Sequence, residues 1–163
     1  MSNPITAPFG YYARITRKGT KKEPVWSVTM LDFPDVTASN ASKQLALRGI
    51  SKTMNDYLAI LCVRDEPFPT PTENPEGHDD LAYIDLRLGI RAAYVARTIR
   101  KQCGLTQEGM IERLKVADPY EYTRLENPAR TNATLAALLP LAESTGKQID
   151  FNQADHPKGK YRV

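Results

Sequence analysis

Residues Leu105 to Asn127 read LTQEGMIERLKVADPYEYTRLEN, and this stretch decides how the C-terminal half folds. Thr106 is a natural N-cap. Met110, Ile111 and Leu114 then give a first short helix its apolar stripe. The second helix start is sharper. Asp118 can cap, Pro119 sits at the first helical position where its missing N–H costs nothing, and Glu121 completes an Asp-x-x-Glu capping box. Tyr122 and Leu125, three apart, share one face. Gly104 ends whatever helix precedes Thr106. The stretch therefore predicts two short helices joined by a tight turn.

Such a pair is a DNA-reading geometry when the second helix projects its start into a major groove, and it is equally common as plain packing. The string Arg100-x-x-x-Gly104-Leu105-Thr106-Gln107, followed by Arg124-Leu125-Glu126-Asn127, resembles the lambda-repressor-like (Xre-type) helix-turn-helix family. The resemblance implies an Arg100–Glu126 ion pair. It implies phosphate contacts at Gln107 and Asn127 and base-edge positions at Pro119, Tyr120, Thr123 and Arg124. Two features depart from the family. The turn is one residue longer than the commonest pattern. The second helix also carries Asp118 and Glu121, which capping explains better than DNA contact. Arg124 is the one strong base reader, because Arg bonds guanine O6 and N7 together.

The chain has 163 residues, enough for one ordinary domain or two small ones. A net charge of +3 permits nucleic-acid binding without arguing for it. Cys62 and Cys103 both fall in helical apolar patterns and lack metal-ligand spacing. They are expected to be buried free thiols in a reducing compartment. No apolar run approaches a membrane span, and the polar start MSNPITAPFG is unlike a signal peptide. The expected location is the cytoplasm.

Upstream, Met1 to Phe9 reads as a loose arm. Tyr11 to Arg17 and Val25 to Leu31 read as two strands of an antiparallel hairpin with a seven-residue loop, Lys18 to Pro24. Trp26, Val28 and Met30 face one side, Ser27 and Thr29 the other. The lysines of that loop suit a nucleic acid or an acidic partner; a solvated tip is the simpler reading. Val36 to Ala38 suits a short edge strand. A long amphipathic helix follows from Asn40 to about Val63, with Ala46, Ile50, Met54, Tyr57 and Leu61 against the hairpin. Four prolines between Glu66 and Gly77 forbid helix or sheet interior there. Leu81 to Leu88 returns as a strand with Ile84, Leu86 and Leu88 alternating, and Ile90 to Cys103 reads as a helix. Arg87, Arg91, Arg97, Arg100 and Lys101 make this region basic and suited to DNA phosphates. Thr134 to Ser144 reads as a helix kinked at Pro140 and ended by Gly146. Lys147 to Phe151 is a short strand and Asn152 to Val163 a polar tail.

The order of these parts resembles the HicB family of antitoxins. The carrying residues are Trp26-Ser27-Val28-Thr29, Phe33-Pro34-Asp35, the helix from Ala41 to Cys62 and Pro67-Phe68-Pro69-Thr70-Pro71. Ala82-Tyr83-Ile84-Asp85-Leu86 and Gly146-Lys147-Gln148-Ile149-Asp150 complete the set, which spans roughly residues 10 to 151. Between Phe33-Pro34-Asp35 and the long helix the chain is shorter than the family pattern and lacks its Gly-Cys turn. The resemblance implies an α+β chain. Residues 1–89 would be a truncated, non-catalytic RNase H-like antiparallel sheet with one long helix, including the proline-rich loop 66–77. Residues 90–151 would be an all-α helix-turn-helix domain for DNA binding and dimerisation, and 152–163 a tail. The implied partners are operator DNA, a small HicA-like mRNA-cleaving toxin and a second copy of the chain, as a dimer or tetramer. The implied function is an antitoxin that represses its own operon. Two alternatives stay open: a stand-alone phage-type repressor, and a dimerising interaction module without DNA binding.

Enzymatic readings find little purchase. A nuclease site needs carboxylates converging on two metal ions. Asp32 and Asp35 flank a proline turn, and Asp56 falls on the solvent side of the long helix. His78 and His156 lie in the linker and the tail, away from rigid elements that a triad or metal site requires. No phosphate-cradling glycine loop occurs. Tyr11, Tyr12, Tyr83 and Trp26 suit base stacking on an exposed sheet, but strand aromatics more often fill cores. A non-enzymatic protein without cofactor or metal is expected.

Overall fold

Alternating apolar residues from Gly10 onward build a sheet, and runs of helical period build the rest. The computed structural model describes residues 3–129, 135–150 and 161–163. In chain order these form β1 (Ile5–Thr6), β2 (Gly10–Gly19), β3 (Pro24–Met30), β4 (Thr37–Asn40), α1 (Lys43–Val63) and β5 (Leu81–Asp85). There follow α2 (Leu88–Gln102), α3 (Gln107–Leu114), α4 (Pro119–Leu125), α5 (Leu139–Thr145), β6 (Ile149–Asp150) and β7 (Tyr161–Arg162). The chain is thus a mixture of helices with a five-stranded sheet, antiparallel except for β7, and a short parallel pair.

Two compact units divide it. A sheet unit comprises Pro8–Leu58, Phe68–Leu86 and Gln153–Val163; a helical unit comprises Met1–Ala7, Ala59–Pro67 and Arg87–Asn152. These units do not follow the linear division 1–89, 90–151 and 152–163 expected from the sequence. The first residues and the last turns of α1 belong with the helices.

In the sheet unit the strand order is β4-β3-β2-β5-β7. Pairing sets Ala13 opposite Met30 and Ala82, and Ile15 opposite Val28. These five residues share one face, and all are buried. Ile50, Met54 and Leu58 of α1 are fully buried. A Cβ placed on Gly49 of α1 would lie 3.3 Å from the Ala38 methyl of β4. The helix therefore packs on that face. β5 runs antiparallel to β2, not parallel as a β-helix-β crossover ordinarily would. The proline-rich loop between α1 and β5 is pinned along its length. Tyr11 donates its hydroxyl to the Pro69 carbonyl at 2.9 Å, and Arg14 Nη2 reaches the Glu76 carbonyl at 3.2 Å. Asp32 accepts from the backbone N–H and the hydroxyl of Thr72.

In the helical unit α2 is the central element. Ala92, Val95, Ala96 and Ile99 meet Met110 of α3, Tyr122 and Leu125 of α4, and Leu138 and Leu141 around α5. Ile5 and Ala7 join this core, and β1 pairs in parallel with β6, Ile5 opposite Ile149.

Several local expectations are corrected. The N-terminal segment is not a free arm, because Ile5 buries in the helical core. The hairpin loop is not seven residues: β2 and β3 stay paired to Gly19 and Pro24, leaving only Thr20 to Glu23 as the turn. The strand at Leu81 stops at Asp85, and Leu88 opens α2 while 45% exposed. Pro140 does not kink a helix. It lies in the first turn of α5, after a separate 3-10 turn at Leu135–Leu138, where its lost N–H has no partner to lose. The tail re-enters the sheet as β7 beside β5. Residues 130–134 and 151–160, including Thr134, Phe151 and His156, lie outside the described residues.

Candidate nucleic-acid interface

The helix pair is held by its caps and by one buried ionic cluster. Thr106 Oγ1 accepts from Gly109 N–H at 3.1 Å, and Asp118 Oδ1 accepts from Tyr120 N–H at 2.9 Å. Pro119 stands at the first turn of α4. Gly104, with φ of +66°, ends α2, and Lys115, with φ of +51°, turns the chain out of α3.

Beneath α4 lies Glu126, only 3% exposed. Arg100 Nε donates to its Oε1 at 2.7 Å and Nη2 to its Oε2 at 3.0 Å. This bidentate bond lifts the Arg100 pKa further above its ordinary value, against the opposing effect of burial. Gln107 Nε2 donates to Glu126 Oε2 at 2.9 Å, and the Tyr122 hydroxyl donates to Oε1. Burial, reinforced by the neighbouring carboxylate, drives the Tyr122 pKa upward. Glu126 thus fastens the end of α4 to α2 and to the start of α3.

Arg100 also reaches a second acid. Its Nη2 lies 3.2 Å from Asp65 Oδ1, and Lys101 Nζ lies 3.1 Å from the same oxygen. Arg97 Nη1 donates to the Leu61 carbonyl at 2.8 Å, in the last turns of α1. Asp65 sits at φ of +57° just beyond that helix. Arg97, Arg100 and Lys101 of this basic run are therefore held by groups at the end of α1. Arg97 and Arg100 are buried, so these two do not offer charge to phosphates. No local signal in the sequence announces Asp65, because its partners lie more than thirty residues away.

The other site residues face outward around α4. Tyr120 is 71% exposed. The Arg124 side chain is 54% exposed; its Nε bonds the Tyr120 carbonyl at 3.3 Å, and its Nη2 lies 3.9 Å from Asp118. Thr123 donates its hydroxyl to the Pro119 carbonyl at 3.0 Å. Asn127 Oδ1 accepts from Ala129 N–H at 3.1 Å. Pro119 is exposed. An open concavity of about 350 Å³ lies between the end of α1, at Cys62 and Val63, and Tyr120, Thr123, Arg124 and Asn127. Cys62 is a free thiol that burial pushes up to about 11, so it stays protonated at neutral pH. The arrangement offers one half-exposed guanidinium, two amides and two hydroxyls around this concavity. That set can make hydrogen bonds to bases and phosphates; it assembles no nucleophile with a base.

Two of the three N-terminal acids have structural partners. Asp32 holds Thr72 and Asp56 pairs with Lys52. Among the described residues no group of three His, Cys, Asp or Glu side chains is placed to hold a metal ion. No helix among them is long and apolar enough to cross a membrane.

No protein-family model matches the chain, and no curated protein is significantly similar to it.

Proposed function

We propose that this protein is a non-enzymatic antitoxin that represses its own operon. In this reading α3 and α4 form a helix-turn-helix of the lambda-repressor-like type. Arg124 reads a base edge, Tyr120, Thr123 and Pro119 line the groove, and Gln107 and Asn127 sit at phosphates. The sheet unit masks a small HicA-like toxin, and a second copy of the chain supplies the other DNA half-site. The observation that carries the reading is the anchoring of α4. Glu126 is bound from below by Arg100, Gln107 and Tyr122, while Tyr120 and Arg124 stay exposed on the opposite side. A helix so fixed presents its first turns as a rigid probe. Supporting the sheet assignment are the order β4-β3-β2-β5 and the helix on one face; the antiparallel β5 departs from an RNase H-like crossover.

A second reading has its own observation. Arg124 bonds back onto α4, Gln107 is spent on Glu126, and Val63 borders the same face. These favour a dimerising interaction module that does not bind DNA. The stand-alone repressor shares the DNA interface of the first reading and lacks only the toxin.

The antitoxin role is tested by expressing any small reading frame that adjoins this gene. Expressed alone it should arrest growth. Co-expression of this protein should restore growth and give a co-purifying complex. Undisturbed growth on expressing every adjoining small frame removes the toxin from the account and leaves the repressor.

A further inference from the structure

The β2–β3 hairpin carries charge that the α4 interface does not use. β5 flanks β2 only from Gly10 to Arg14, and β4 flanks β3 only from Trp26 to Thr29. The last two hairpin rows, Lys18 opposite Val25 and Gly19 opposite Pro24, are flanked by no strand among the described residues. The hairpin therefore extends beyond the sheet as a two-stranded ribbon. Its turn is built rather than loose. Thr20 Oγ1 accepts from Glu23 N–H at 3.0 Å. Gly19 sits at φ of +86°, where a Cβ would lie 2.3 Å from the Glu23 carbonyl oxygen.

Arg17, Lys18, Lys21 and Lys22 are all exposed on this ribbon. The fold adds a fifth cation. Lys43, at the start of α1, places Nζ 5.0 Å from the centroid of the Trp26 ring, and the Arg17 guanidinium lies 5.6 Å from it. The ring's negative faces steady both cations at the root of the ribbon. Glu23 is the only acid between Arg17 and Lys43 apart from Asp32 and Asp35. Those two sit beyond the other end of β3, where Asp32 is tied to Thr72.

We propose that this ribbon is a phosphate-contact surface for duplex DNA, supplying sequence-independent affinity. Its partner being DNA rests on the repressor reading. A protein partner would need an apolar centre to its interface. At the tip Val25 is the one large apolar residue that is strongly exposed, at 43%. Phosphates need only cations and release of their counterions.

The test compares full-length protein with the triple variant Lys18→Gln, Lys21→Gln, Lys22→Gln. Each is titrated with a duplex of the protein's own upstream sequence and with a scrambled duplex, between about 50 and 200 mM salt. If these lysines meet phosphates, the slope of log affinity against log salt should flatten by about 2–3 on both duplexes. Affinity for the scrambled duplex should fall at least about tenfold at the lower salt. Lys52→Gln, in an ion pair on α1, is the control and should leave the slope unchanged. A flattened slope without preference for the upstream sequence supports the ribbon and overturns the repressor. Preference with an unaltered slope does the reverse. A wild-type protein that binds neither duplex sinks both.

Discussion

Arg124 is the residue on which the proposed reading of DNA sequence rests. Its contact with Asp118 is long, 3.9 Å, and both side chains are about half exposed. Exposed pairs of this kind contribute little, so the guanidinium is released at small cost. The bond from its Nε to the Tyr120 carbonyl leaves other N–H donors for a guanine edge. Arg124→Ala should therefore weaken preference for the protein's own upstream DNA by roughly 1–3 kcal/mol, with scrambled DNA bound nearly as before. Equal preference in the variant and the parent would take base reading away from Arg124. Of the residues singled out in the sequence, Arg100 and Glu126 meet in the structure, and the family resemblance supplied that pairing. The Tyr122 hydroxyl, four residues from Glu126, lay within helical reach and was missed, and Asp65, which completes the same cluster, was hidden. A polar contact across tens of residues leaves no periodic trace in a chain.

At the scale of elements, α4 is a seven-residue helix that would not persist alone. Its place depends on Tyr122 and Leu125 in the core and on Glu126 beneath. Removing the carboxylate leaves Arg100 buried with only the half-exposed Asp65 as counter-charge. Glu126→Ala should cost the helical unit roughly 3–5 kcal/mol, read as an earlier thermal transition. Glu126→Gln keeps an acceptor for Tyr122 and Arg100 and should lose less. A melt of Glu126→Ala that overlays the parent's would show that the cluster does not hold α4. Elements with strong periodicity were legible: α1 through Ala46, Ile50 and Met54, β3 through Val28 and Met30. Of the two-residue strands, β6 was legible within Lys147 to Phe151. β1 was not: it is too short to show alternation, and its partner lies at the opposite end of the chain. Pro140 misled for a different reason, since a proline in a helix interior and one in a first turn look alike until the start is known.

For the molecule as a whole, the division into a sheet part and a helical part was legible, because alternation gives way to helical spacing near Leu88. The interleaving of the two units was not. It arises from Ile5 burying among the helices and from the last turns of α1 joining them. A repressor of its own operon must read its own control DNA. The most direct measurement is binding of the intact protein to its upstream duplex against a scrambled duplex of equal length, at two salt concentrations. The proposed base contacts should give a preference for the upstream duplex that survives the higher salt, because base contacts do not release counterions as phosphate contacts do. Equal binding that fades together with salt would reduce the interaction to phosphate attraction, and no binding to either duplex would contradict the repressor outright.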